Sequence, residues 1–192
     1  MVEDRVPGEG APEELDAETR ARRDAALRHV RKLGDPVLRA KAVPVERFDE
    51  KLRQEIARMG LLMQDALGIG LAATQLGVMH RLFVYRVEPD SEVKALVNPL
   101  VEADGDELET AEEGCLSIPG VHVEVERPAQ IRVRGQDASG EPVEFAADGL
   151  EARVIQHELD HLDGVLILDR ISREQRRQAM REMREMRESA ET

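Results

Sequence analysis

Residues 156–161 read Gln156-His157-Glu158-Leu159-Asp160-His161, which contains the pattern His-Glu-x-x-His. On a helix, residues four apart stand on one face, so the two imidazoles can hold one metal ion between them. Glu158 then lies beside that ion without having to ligate it, where a hydrolytic enzyme needs its base. The surrounding sequence supplies the helix. Asp148 and Glu151 form a capping-box pattern at its start, and Gly164 is placed to end it. Leu150, Val154, His157 and His161 fall on one stripe, so the metal-binding face continues the face that would meet a sheet.

Outward from this helix the period changes. Residues 82–87, 95–97, 121–125, 131–134 and 143–147 read as strands, and Asp137-Ala138-Ser139-Gly140 as a hairpin turn between the last two. Asp49 is a fair N-cap for an amphipathic helix to residue 67, with Leu52, Ile56, Met59, Met63 and Ala66 at helical steps. Residues 13–32 carry a looser helical stripe that ends at Gly34-Asp35-Pro36, and residues 1–12 read as mobile. From Ser172 the chain is a charged helix with only Met180, Met183 and Met186 as an apolar seam. The order predicts an α+β fold of antiparallel strands packed around a central metal-binding helix, with an N-terminal helical arm and a C-terminal helix. The expected divisions are an arm at 1–33, a catalytic domain at 34–171 and the tail helix at 172–192.

Composition narrows the setting. The 192 residues hold 27 basic against 40 acidic side chains, a net charge of −13, which repels DNA and anionic membrane surfaces. Cys115 is the single cysteine, so no internal disulfide forms and nothing points to secretion. The N-terminus lacks the order of a signal peptide, and no apolar run approaches the roughly 20 residues that cross a bilayer. A cytoplasmic protein is expected.

The third metal ligand decides the chemistry. Two histidines on an amphipathic helix can be ordinary core residues, but the interposed Glu158 favours a metal site. Zinc peptidases take a third ligand from downstream, and no further histidine follows His161. Upstream stands Cys115, within Glu112-Glu113-Gly114-Cys115-Leu116-Ser117, an odd setting for a core filler. One thiolate and two imidazoles leave a fourth position open for water, as catalytic sites do. A further segment, Gly68-Ile69-Gly70-Leu71-Ala72-Ala73-Thr74-Gln75, fits a dinucleotide-binding glycine pattern, with Glu88 after it. That reading needs a strand before the first glycine, and residues 49–67 are helical in pattern. Instead the glycines would let backbone approach a substrate closely, and Gln75 offers an amide donor.

Gly68 to Gln75, Glu113 to Ser117 and Gln156 to His161, in this order, resemble the three signature segments of the peptide deformylases, and Gly34-Asp35-Pro36-Val37-Leu38-Arg39 is similar to that family's usual start. The resemblance implies that Cys115, His157 and His161 bind one divalent metal ion. Fe2+ is the native metal of many relatives, with Zn2+, Ni2+ or Co2+ as substitutes. It implies Glu158 as the proton shuttle, with the Gln75 side chain and the Leu116 backbone N–H as donors to the developing oxyanion. The substrate would be an N-formyl-methionyl peptide of a newly made chain, giving formate and a free amine. Ile69, Leu150, Val154 and the His157 ring would line the methionine pocket, while Gly70 bonds the extended peptide and Gln156 and Glu113 support the ligands. Two features depart from the pattern: the arm before Gly34 is longer than usual, and Pro119-Gly120-Val121-His122 stands where many bacterial relatives have an Arg. In some relatives the C-terminal helix docks on the ribosome; a solvated helix is the equal alternative for residues 172–192. A zinc endopeptidase would need His157, Glu158 and His161 but neither Cys115 nor Gln75. A metal-stabilised binding module would tolerate loss of Glu158.

Overall fold

Alternate residues of a strand face opposite sides of a sheet, and in Leu82-Phe83-Val84-Tyr85 both sides are apolar. Such a strand has to be covered on both faces. The computed structural model describes residues 15–190, so the expectation for residues 1–12 and the first residues of the arm fall outside it. The helices are α1 (Ala17–Leu27), α2 (Glu50–Asp65), α3 (Gly149–Leu162) and α4 (Arg173–Ala190). The strands are β1 (Gly70–Ala72), β2 (Leu82–Tyr85), β3 (Lys94–Ala103), β4 (Leu108–Cys115), β5 (Ile118–Pro128), β6 (Gln130–Gln136) and β7 (Pro142–Asp148). Five strands form an antiparallel sheet in the order β1-β2-β3-β6-β7, and β4 and β5 form a separate hairpin.

The sheet is covered as its composition demands. Phe83 and Tyr85 join Leu96, Ile131 and Val133 against Ile155 and Leu162 of α3. Leu82 and Val84, on the other face, pack with Leu71 on Leu52, Met59 and Met63 of α2. A third cluster gathers Val121, Val123 and Val125 of β5 with Leu38, Leu166, Ile167 and Ala179. α3 therefore runs between the sheet and the hairpin, the α+β arrangement the sequence predicts.

Several boundaries differ from expectation. β1 and β4 are not foreseen: β1 has only three residues, and the acidic side chains of β4 hide its period. α1 stops at Leu27, and the chain beyond it follows hydrogen bonds into the interior, Arg31 N–H to the Gln75 carbonyl (2.7 Å) and Leu33 N–H to that of Ser117 (2.9 Å). Asp49 caps α2 as expected, accepting from Lys51 and Leu52 N–H. The capping box of Asp148 and Glu151 does not form. Asp148 is still paired with Gln130 as the last residue of β7, and Glu151 instead accepts from Tyr85 Oη at 3.0 Å and Lys94 Nζ at 2.7 Å. Of the α4 seam, Met183 packs on the β5 cluster, while Met180 and Met186 stay exposed.

Gly164 ends α3 with φ +74°, where the Val165 N–H reaches back to the Asp160 carbonyl at 2.8 Å. A Cβ there would stand 2.6 Å from the Arg39 carbonyl oxygen. Gly164→Ala should lower the unfolding free energy by more than about 1 kcal/mol, since the backbone conformation and the space both oppose a side chain. Urea denaturation measures it; an unchanged midpoint would mean that this turn is not packed against residues 36–39.

Candidate active site

Three segments converge on one cleft of about 630 Å³. The first is the β1 edge and the turn after it. Ala72 N–H donates to Gln75 Oε1 at 3.0 Å, so the carboxamide is turned with Nε2 toward Ser117 Oγ (3.1 Å) and Cys115 Sγ (3.8 Å). The second is the end of the β4–β5 hairpin. Its register shifts between Gly114 and Cys115, and Cys115 then pairs with Ile118. The third is α3, whose helical spacing brings His157 and His161 together.

The ligand atoms meet closely. Cys115 Sγ is 3.3 Å from His161 Nε2, which is 3.2 Å from His157 Nε2, and the three ligand atoms all lie within 4.8 Å of one another. Tetrahedral coordination at ordinary metal–sulfur and metal–nitrogen lengths sets such edges at about 3.3–3.6 Å, so the donor set fits one metal ion. Burial pushes the Cys115 thiol up, but His161 and His157 outweigh it and hold the thiol well below its ordinary value, which favours the thiolate form. Burial works to lower His157 as well, yet Cys115 and Glu113 together raise it well above the imidazole range.

Glu158 is 3% exposed, and its Oε2 has no hydrogen-bond partner among the described residues. Burial raises its carboxyl above the ordinary value, the direction that suits a proton acceptor near neutrality. Its other oxygen lies against Gly70. A Cβ on residue 70 would fall 2.2 Å from Glu158 Oε1, so only glycine lets this strand and the carboxylate share the space.

Ile69, Gly70, Leu150 and Val154 line the cleft together with Gln75, Cys115, Leu116, His157 and Glu158. Leu150 and Ile69 are 52% and 45% exposed, at its outer part, whereas Val154 is buried. His161 sits beneath, almost fully buried, with its carbonyl held by Thr74 Oγ1 at 3.2 Å. Gln156 faces elsewhere and donates to the carbonyls of Pro128 and Ala152. The glycine-rich segment is no dinucleotide loop: it follows α2, and β1 runs antiparallel to β2.

The sequence reading names Glu113 as a support of the ligands, but the buried ionic cluster around it escapes that reading. His157 Nδ1 meets Glu113 Oε2 at 3.0 Å, and Glu113 also binds Arg127 (2.6 and 2.9 Å) and Arg153 (2.8 Å). Arg127 bridges on to Asp160 at 2.9 Å, which pairs in turn with Arg170. One signal does point to Arg127. It continues the inward parity of Val121, Val123 and Val125, an unusual place for a charge.

Two imidazoles and a thiolate around a buried, unpaired carboxylate in an apolar-walled cleft define a metal-dependent hydrolase site. The comparisons give the family. The polypeptide deformylase family profile matches residues 27–177. A peptide deformylase of Brucella suis is 50% identical over 144 residues, covering 73% of this chain and 82% of that one. A peptide deformylase structure from Legionella pneumophila superposes with a TM-score of 0.78 at 39% identity, covering 84% of this chain and 95% of that one. One from Synechococcus elongatus, in complex with actinonin, gives 0.77 at 44% identity, covering 80% and 85%. The chain belongs to the polypeptide deformylase family, which sets aside the endopeptidase and binding-module readings.

Glu113 is held at about 2, below its ordinary 4.5, because Arg127 and His157 outweigh the opposing effect of burial. A carboxyl lowered in the fold stabilises it fully above the unfolded value and loses that contribution as pH falls from 4.5 through about 2. Arg127→Met removes one partner of a buried pair and should cost about 3–5 kcal/mol at neutral pH. It should also move acid unfolding to higher pH. Denaturant titration at several pH values measures both, and a wild-type acid midpoint in the variant would refute the coupling.

Proposed function

We propose that Cys115, His157 and His161 hold one divalent metal ion and that Glu158 moves the proton in deformylation of nascent N-formyl-methionyl chains. Fe2+ is the metal of choice, with Zn2+, Ni2+ or Co2+ as substitutes on the same ligand set. The observation that carries this reading is the unpaired Glu158 oxygen beside three converging ligand atoms. When bound, such an ion supplies a Lewis acid and makes a water nucleophilic at neutral pH.

The chain's own groups do the rest. Glu158 takes the proton of the attacking water and returns it to the amine nitrogen as the formyl C–N bond breaks, giving formate and a free amino terminus. Gln75 Nε2, aimed by the Ala72 N–H at its other end, and the Leu116 N–H face the oxygen on which charge develops. Ile69, Leu150, Val154 and the His157 ring enclose the methionine side chain, whose unbranched thioether suits an apolar pocket. Gly70 bonds the peptide backbone along the β1 edge. No helix among the described residues is long and apolar enough to cross a membrane, which agrees with work in the cytoplasm.

Anaerobically prepared protein should release formate from a short formyl-methionyl peptide. Glu158→Ala should keep its metal and lose about 10²–10⁴-fold in rate, whereas Cys115→Ala should lose the metal itself. Metal content and formate are measured side by side, and a metal-loaded wild type that releases no formate would sink the reading. Peroxide should inactivate the iron form faster than a nickel form.

Arg173, Arg176, Arg177, Arg181 and Arg184 of α4 surround Met180 on one surface, which supports a ribosome contact. Sedimentation with ribosomes should weaken in Arg177→Glu/Arg181→Glu and with added salt; equal sedimentation of variant and wild type would argue for a merely solvated helix.

A further inference from the structure

The described part of the arm, residues 15–33, lies against the rest of the enzyme. Just after α1, Arg31 N–H bonds the Gln75 carbonyl at 2.7 Å, Leu33 N–H bonds that of Ser117 at 2.9 Å, and Lys32 Nζ bonds that of Leu116 at 3.0 Å. All three bonds end on the segments that carry Gln75 and Cys115, so α1 is held over the cleft. Residues 23 and 27 stand four apart on one face of α1, and both line the same cavity as Cys115, His157 and Glu158.

Their chemistry differs along that wall. Leu27 is half-buried and extends the apolar surface of Leu67 and Ile69, themselves 52% and 45% exposed. Arg23 lies one turn earlier, its side chain 38% exposed, paired at 3.1 Å with the still more exposed Asp24. An ion pair of this kind contributes little in water and yields easily to a better partner. Glu112 of β4 also lines the cleft, and no ion pair joins it to Arg23 among the described residues. The cleft thus carries a cation on the α1 wall and an anion on the hairpin wall. Arg23 lies outside the segment that matches the family profile, whereas Leu27 is its first residue.

We infer that α1 forms the outer wall of the substrate cleft, and that Arg23 makes the enzyme favour chains with an Asp or Glu side chain just after the formyl-methionine. The inference rests on the deformylase reading of the cleft. The methionine occupies the pocket of Ile69, Leu150, Val154 and His157, and the peptide leaves it toward Leu27 and Arg23. A guanidinium there offers forked donors to a carboxylate in a partly desolvated setting.

The test compares C-terminally amidated formyl-Met-Ala-Ser, formyl-Met-Asp-Ser, formyl-Met-Ala-Asp and formyl-Met-Lys-Ser, the amide removing any terminal carboxylate. Wild type should favour an acidic peptide about two- to fivefold, through KM rather than kcat, and less so at high salt. Arg23→Ala should abolish the preference, Arg23→Lys should keep most of it, and Arg23→Glu should turn it toward the Lys peptide. The same ratio of acidic to basic peptide in wild type and Arg23→Glu overturns the inference while leaving the reaction intact. If metal-loaded wild type deformylates none of the peptides, the deformylase reading falls and takes this one with it.

Discussion

The Glu113 carboxylate, 6% exposed, is the anchor on which the site's geometry depends. Burying a charge is costly unless cations and hydrogen bonds replace the lost water. Here Arg127 and Arg153 supply two guanidinium groups, and His157 supplies an imidazole. The consequence is mechanical as well as electrostatic. Glu113 belongs to β4, Arg127 to β5, and Arg153 and His157 to α3, so satisfying one carboxylate locks the hairpin onto the helix. Cys115 is two residues from Glu113. Whatever fixes Glu113 against His157 therefore also brings the thiol to the imidazoles.

The same contact orients the first histidine. A ligating imidazole commonly donates its second ring nitrogen to a carboxylate, which fixes the tautomer and leaves the other nitrogen for the metal. Glu113 accepts this bond from His157 at Nδ1. His161 has no counterpart: its Nδ1 is buried without a partner among the described residues, and its position depends on the backbone held by Thr74. The two histidines are therefore not equivalent. Gly70 performs the complementary task for Glu158 by being absent as a side chain, which lets the carboxylate lie against β1.

Periodicity exposed α2, α3 and the strands with an apolar face because burial on one or both faces leaves a regular trace. It failed where pairing rather than burial makes the element. β4, with Glu at three of its eight positions, exists because β5 offers it hydrogen bonds, and β1 is three residues on a sheet edge. The candidate ligands were legible because metal chemistry restricts residue types and spacing tightly. The ionic cluster was less so, since Arg127, Arg153 and Asp160 are common residues whose meaning lies in contacts 33 and 40 residues apart in sequence. The capping box at Asp148 failed for a third reason. A tertiary hydrogen bond from Tyr85 and Lys94 outbid a local one for Glu151.

The arm shows how an addition at one end of a chain acquires a place in a site built by others. Its helix is short and mostly polar, with Ala26 as its buried residue, and it lies against α2. The backbone after it ties it to the site, where Arg31 and Leu33 bond the carbonyls of Gln75 and Ser117. Those carbonyls belong to residues whose side chains face each other across 3.1 Å. An extension anchored at such points inherits the precision of the site itself. It can then add a wall and a charge to the substrate's outward path without disturbing Glu113, the histidines or the thiol.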